Sequence, residues 1–116
     1  MYQKAGTAYV YMTYGMYHCI NVVTEKEGVG CAVLIRALEP VNENTDLKTK
    51  GPGLLCKAFE INKTLNGVDL LDKTSPLWLE YSDKTTEENE IVATTRIGIK
   101  KASDYPWRFY IRNNKF

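Results

Sequence analysis

Four tyrosines lie within nine residues of one another near the start of the chain: Tyr9, Tyr11, Tyr14 and Tyr17. In an extended strand, alternate side chains share a face, so Tyr9, Tyr11 and Thr13 stand together. Rings at that spacing fit two roles. They are good strand residues that pair across a hairpin. They are also platforms on which a nucleic-acid base can stack, worth about 1–3 kcal/mol per base. Tyr14 stands beside Gly15 at what reads as a hairpin tip. A side chain at such a tip can fill the gap left by an extruded nucleotide.

Two polar residues interrupt apolar runs. Asn21 precedes Val22 and Val23, and an unpartnered buried amide costs about 1–3 kcal/mol. It therefore either caps a neighbouring strand or loop, or reads the edge of a ligand. Arg36 lies inside Ala32-Val33-Leu34-Ile35-Arg36-Ala37-Leu38. A guanidinium is hardly ever fully buried without a carboxylate or phosphate beside it. Glu39 or another acid would make a structural ion pair. Alternatively the cation orients an acid or a phosphate at a catalytic centre. Gly51-Pro52-Gly53 could turn backbone N–H groups toward a phosphate, or simply start a helix. It lacks the Lys-Ser/Thr ending of a P-loop, which argues against a nucleoside triphosphate.

The elements that must position these residues are mostly strands. Thr7–Thr13 and Met16–Thr24 are rich in aromatic and β-branched residues and read as an antiparallel hairpin with Tyr14-Gly15 at its tip. Cys31–Leu38 is a nearly continuous apolar run, which predicts a central, buried strand. Val41–Lys50 is polar and predicts a surface loop, with room for a short helix. Pro52 suits a first helical turn, and Leu54, Leu55, Ala58, Phe59 and Ile61 continue the helical spacing. Asn66-Gly67 signals a turn. Leu77–Tyr81 reads as a short strand, Ser82–Asn89 as a loop, and Ile91–Ile99 and Trp107–Ile111 as further strands. The predicted class is α+β: a mostly antiparallel β-sheet with a protruding β-hairpin and one or two short helices.

Composition narrows the function. The 116 residues fit one domain. Fifteen basic and fourteen acidic residues give a net charge of +1, not the broad basic excess of a protein that coats nucleic acid. Any DNA contact must use a local patch, and Lys100, Lys101, Arg108, Arg112 and Lys115, set against Asp104, are the candidate. Cys19, Cys31 and Cys56 are odd in number and far apart, and His18 is the single histidine. No metal-ligand spacing is present, so no metal and no cofactor are expected. Two of the cysteines lie in apolar runs, which points to reduced thiols and a cytosolic compartment. No run of about 18 apolar residues and no signal-peptide pattern occurs, so membrane insertion and secretion have no support.

Five segments, in order, resemble one family. Tyr9-Val10-Tyr11-Met12-Thr13-Tyr14-Gly15-Met16-Tyr17-His18-Cys19-Ile20-Asn21 is similar to the hairpin of the alkyladenine (3-methyladenine) DNA glycosylases. Ala32–Pro40 resembles their next core strand, and Gly51–Phe59 their Gly-Pro helix. Arg96-Ile97-Gly98-Ile99 and Trp107–Arg112 resemble their C-terminal segments. The resemblance implies base excision repair: hydrolysis of the bond between deoxyribose and a flipped-out alkylated or deaminated purine in duplex DNA. It implies that Tyr14 enters the minor groove with Met16 beside it. Tyr11 then walls the base pocket, and Asn21 lies on its floor and disfavours guanine. Arg36 helps hold the attacking water and the catalytic acid, and the Ile97 carbonyl touches that water. The implied enzyme is a monomer that uses no metal and no lyase lysine, at the bacterial nucleoid or in a eukaryotic nucleus.

One departure from the family is plain. Its Glu-Thr-Glu-Ala-Tyr motif, whose first glutamate is the general base, does not occur in residues 1–116. These residues therefore read as the C-terminal portion of a single glycosylase domain, with low stability of their own. The alternative is a non-catalytic minor-groove or β-rich interaction module. The purified 116-residue chain is expected to release little or no hypoxanthine from duplex DNA. Measurable release in a base-excision assay would contradict that expectation.

Overall fold

The structure is a computed structural model, and it describes residues 3–13, 15–40, 48–81, 90–95 and 105–112. The chain forms two compact units, residues 1–81 and 82–116. The first holds strands β1 (Ala8–Thr13), β2 (Tyr17–Thr24) and β3 (Cys31–Leu34), helix α1 (Pro52–Ala58) and a 3-10 turn at Lys63–Leu65. The second holds β4 (Ile91–Thr94) and β5 (Arg108–Ile111). All strand pairs are antiparallel, in a three-stranded sheet of order β1-β2-β3 and a two-stranded ribbon β4-β5. The fold class is α+β, as expected.

The β1–β2 hairpin forms where the aromatic and β-branched runs predict it. Thr13 pairs with Tyr17, and the N–H of Met16 donates to the Thr13 carbonyl at 3.3 Å. Gly15 has φ 70, the left-handed conformation that a third turn residue requires and glycine adopts without strain. Tyr14 lies outside the described residues.

The outer edge of β1 does not stay bare. Ala8 donates to the Val68 carbonyl at 2.9 Å and accepts from the Gly67 N–H at 2.8 Å. The Val10 N–H donates to Asn66 Oδ1 at 2.8 Å. The Asn66-Gly67 turn, with Gly67 at φ 90, thus satisfies backbone groups that would otherwise form an open sheet edge.

The main core cluster lies on one side of the sheet, while Cys19 and Val23 are buried on the other. Ala8, Val10 and Ile20 pack with Leu55 and Cys56 of α1 and with Ile61 and Leu70, and Val22, Ile35, Leu65, Val68 and Leu77 lean on them. Each fully buried aliphatic side chain contributes about 1.5–3 kcal/mol. Helix α1 has seven residues, too few to persist alone, so it depends on this packing. Pro52 starts it. Glu60, at φ 56, ends it, with Glu60 N–H to Lys57 O at 3.3 Å and Ile61 N–H to Cys56 O at 2.8 Å. This is a Schellman end with glutamate where glycine is usual. The apolar spacing through Ile61 therefore overruns the helix, although Ile61 is still buried.

Three expectations need correction. Strand β3 stops at Leu34 rather than Leu38, because the chain then leaves β2 and pairs with residues 49–51. Ala37 bridges Lys50, Leu38 N–H donates to Thr49 O at 3.2 Å, and Gly51 N–H donates to Arg36 O at 2.7 Å. Nor is β3 central and buried. Among the described residues β2 is its one neighbouring strand, and Val33 is 52% exposed. An apolar run records what a strand could bury, not how many neighbours it finds. Leu77–Tyr81 is not a strand either. Leu77 packs on the core, and the segment's one backbone bond among the described residues runs from Leu79 N–H to Leu70 O at 2.7 Å; one bond does not make a ladder. Residues 41–47, 82–89 and 96–104, on which parts of other expectations rest, lie outside the described residues.

Cys19 and Cys56 are buried, Cys31 is exposed, and all three are free thiols. Burial first, and the neighbouring Cys19 second, push the Cys56 thiol from its ordinary 9.0 up to about 11, against an opposing hydrogen bond with the Ile20 backbone. The folded value lies above the unfolded one, so this contribution to stability is complete below pH 9 and is lost as pH rises through about 11. At pH 8 an alkylating reagent should modify Cys31 rapidly and Cys56 only on unfolding. Equal rates for all three thiols would contradict this.

A Cβ on Gly53 would sit 2.8 Å from the Tyr17 ring and 3.0 Å from its Cβ. Gly53→Ala should therefore lower stability by about 1–3 kcal/mol, less about 1 kcal/mol of gained helix propensity. Thermal denaturation checks it, and a raised Tm would refute the contact.

Candidate functional site

The β1–β2 register decides which residues can act together. It pairs Ala8 with Val22, Tyr9 with Asn21, Val10 with Ile20, Tyr11 with Cys19, Met12 with His18 and Thr13 with Tyr17. Residues directly opposite share a face. One face thus carries Ala8, Val10, Ile20 and Val22, which is the core side. The other carries Tyr9, Tyr11, Thr13, Tyr17, Cys19 and Asn21. Strand β3 adds Leu34, which pairs with Asn21 from the opposite side. The alternation read from sequence for Tyr9, Tyr11 and Thr13 holds.

On this second face the Tyr9 and Tyr11 rings pack with centroids 5.4 Å apart and planes tilted by 39°. That separation lies within the roughly 4.5–7 Å at which aromatic rings attract, an interaction of about 0.5–1.5 kcal/mol beyond area burial. Tyr11 remains 37% exposed, while Asn21 is 8% exposed. The Asn21 side-chain Nδ2 donates to the Tyr9 carbonyl at 3.3 Å. The amide nitrogen is therefore partnered across the hairpin, and this accounts for how an amide persists in an apolar strand. Met16 stands in the turn at 70% exposure.

Arg36 is not inside a strand. It lies two residues beyond the end of β3 and is half-buried, with its Nε enclosed. Ile35 keeps to β2 through its N–H bond to Ile20 O at 3.1 Å. The Arg36 carbonyl accepts from Gly51 N–H at 2.7 Å, so its backbone is anchored to the residue that precedes α1. The same Gly-Pro-Gly segment holds Gly53 against Tyr17. The sequence marks these glycines as a helix start or a phosphate loop and carries no signal of the close approach to Tyr17. It also leaves the Tyr9 ring without a specific partner. The only available signal is its i, i+2 spacing from Tyr11.

His18 belongs to the opposite face, level with Met12. Among the described residues no group of three or more His, Cys, Asp or Glu could hold a metal ion. Among them, too, no helix is long and apolar enough to cross a membrane. Of the C-terminal basic residues, Arg108 lies over the Tyr110 ring at 5.0 Å and Arg112 is exposed. Lys100, Lys101 and Lys115 lie outside the described residues, as do Tyr14 and Ile97.

Comparison with known proteins gives one consistent result. Residues 1–115 match the sequence model described as methylpurine-DNA glycosylase (MPG). A protein of Francisella tularensis subsp. tularensis (strain WY96-3418) is 51% identical over 127 aligned residues, covering 100% of this chain and 66% of that protein. A protein of Alkaliphilus oremlandii (strain OhILAs) is 46% identical over 138 aligned residues, with 100% and 66% covered. One from Legionella pneumophila (strain Lens) is 49% identical over 119, with 100% and 63% covered. All three carry the name "Putative 3-methyladenine DNA glycosylase". The chain spans 66% of the length of the first two of these curated relatives and 63% of the third. On the match along nearly its whole length, the chain belongs to the methylpurine-DNA glycosylase family.

Proposed function

We propose that this chain supplies the base-contact face of a monofunctional DNA glycosylase, which hydrolyses the N-glycosyl bond of flipped-out alkylated or deaminated purines in duplex DNA. The observation that carries the reading is the face shared by Tyr9, Tyr11 and Asn21. It stands opposite the cluster of Ala8, Val10 and Ile20, and on it Tyr11 stays 37% exposed while Asn21 is buried with its amide nitrogen bonded to the Tyr9 carbonyl. An extruded base needs a ring to stack on and a polar group to read its edge.

In this reading Tyr11 is the aromatic wall and Asn21 the floor that disfavours guanine. Tyr14 fills the gap in the duplex, with Met16 beside it. Arg36 helps to hold the attacking water and the catalytic acid, and the Ile97 carbonyl touches that water. The names of the relatives support 3-methyladenine as a substrate. Such a base is cationic and leaves readily. A neutral lesion such as hypoxanthine depends more on a general base, which contributes about 10²–10⁴-fold. No residue among these 116 is assigned that role. A guanidinium beside the water contributes electrostatically as negative charge develops there.

A chimera tests this. Residues 1–116 would replace the matching stretch of the Francisella tularensis relative, with the intact relative as control. Single-turnover release of 3-methyladenine and hypoxanthine is expected from the chimera. Arg36→Ala in it should slow release by about 10²-fold. Tyr14→Ala should weaken binding to lesion-containing duplex. A chimera that folds and binds duplex but releases neither base, beside an active parent, would overturn the reading.

A further inference from the structure

The Tyr9 side chain does not belong to the core, since it projects from the face opposite Ala8, Val10 and Ile20. It is nevertheless half-buried. Two contacts leave this one residue. Its ring packs on Tyr11 at 5.4 Å, and its carbonyl accepts from Asn21 Nδ2 at 3.3 Å. We propose that Tyr9 is the positioning residue of the base-contact face, with its ring setting the rotamer of Tyr11 and its carbonyl setting the amide of Asn21. The inference rests on the reading given under Proposed function.

The ring acts sterically. In strands, χ1 of 180° and −60° are both common, so a partly exposed tyrosine has more than one direction open to it. A tilted ring packed along one side of Tyr11 removes part of that freedom before any base arrives. Ordering a contact group in advance lowers the cost of binding. The carbonyl acts electrostatically. Rotating the Asn21 amide by 180° would set Oδ1 against the Tyr9 carbonyl, acceptor against acceptor. The carbonyl therefore selects a single orientation, with Nδ2 toward Tyr9 and Oδ1 turned from it. The two groups assigned to base contact are in this way set by one neighbour that itself needs no contact with the base.

Three variants of the 116-residue chain separate this from a purely structural role. Tyr9→Phe keeps the ring, Tyr9→Leu removes it, and Asn21→Asp sets a carboxylate against the Tyr9 carbonyl. Circular dichroism and thermal denaturation confirm which variants fold. NMR of the Tyr11 ring reads the contact directly, and its resonances should move in Tyr9→Leu and stay close to wild type in Tyr9→Phe. Fluorescence titration uses a duplex with one 1,N6-ethenoadenine and an undamaged duplex. Tyr9→Leu should weaken lesion binding by about two- to tenfold, the worth of an aromatic pair, and leave undamaged-duplex binding unchanged. Tyr9→Phe should bind as wild type does. Asn21→Asp should lose lesion preference while the Tyr11 resonances stay in place. Unmoved Tyr11 resonances in a folded Tyr9→Leu, or an undiminished lesion preference, would overturn the proposal. Equal binding of both duplexes by the wild type would instead defeat the reading under Proposed function, and the Tyr11 resonances would then decide the Tyr9–Tyr11 contact by themselves.

Discussion

The pairing of Tyr9 with Asn21 across the hairpin is the constraint on which the rest depends. Strand side chains alternate, so a slip of one residue would exchange the two faces entirely. Tyr9 and Tyr11 would enter the core, and Val10 would face outward. The burial pattern forbids this. Ala8, Val10 and Ile20 are each at most 4% exposed, and they fit the space left by Leu55, Leu70 and Ile61. Hydrophobic packing of Ala8, Val10 and Ile20 on one face thus fixes which residues share the other, where Tyr9, Tyr11 and Asn21 lie with the buried Cys19 and Val23. Stability and candidate chemistry use alternate residues of the same strands.

Local support reinforces that register from both sides. The Asn66-Gly67 turn satisfies the outer edge of β1. On the other side, Gly53 lies so close to the Tyr17 ring that no larger residue fits without displacement. Through Gly51 the same segment bonds to Arg36. The helix start, a hairpin residue and the Arg36 backbone are therefore joined by direct contacts. This gives Gly51-Pro52-Gly53 a packing role that requires no phosphate.

Much of this was legible in the sequence where the causes are local. The composition of the two hairpin strands, a glycine at the turn, proline at a helix start and the Asn-Gly turn all act within a few residues, and each landed within a residue or two of its expected place. The family was legible too, because five motifs in order are far more specific than any one of them. What was not legible depends on partners distant in the chain. The end of β3 is set by pairing with residues 49–51. The failure of Leu77–Tyr81 to become a strand reflects a single long-range bond to Leu70. The partner of Asn21 is a backbone carbonyl, which carries no residue identity to read. Arg36 looked like a strand residue because its neighbours are apolar, yet the chain has already left the sheet there.

The account stands on the β1–β2 register, and cross-strand NOEs measure it most directly. Ala8 and Val10 direct their N–H groups away from β2, so their pairs with Val22 and Ile20 are the non-hydrogen-bonded ones, with the shorter Cα separation. Strong Hα–Hα NOEs are therefore predicted for Ala8–Val22 and Val10–Ile20. Strong Hα–Hα NOEs from Tyr9 or Tyr11 to Ile20 would show a slipped register and contradict the shared face of Tyr9, Tyr11 and Asn21.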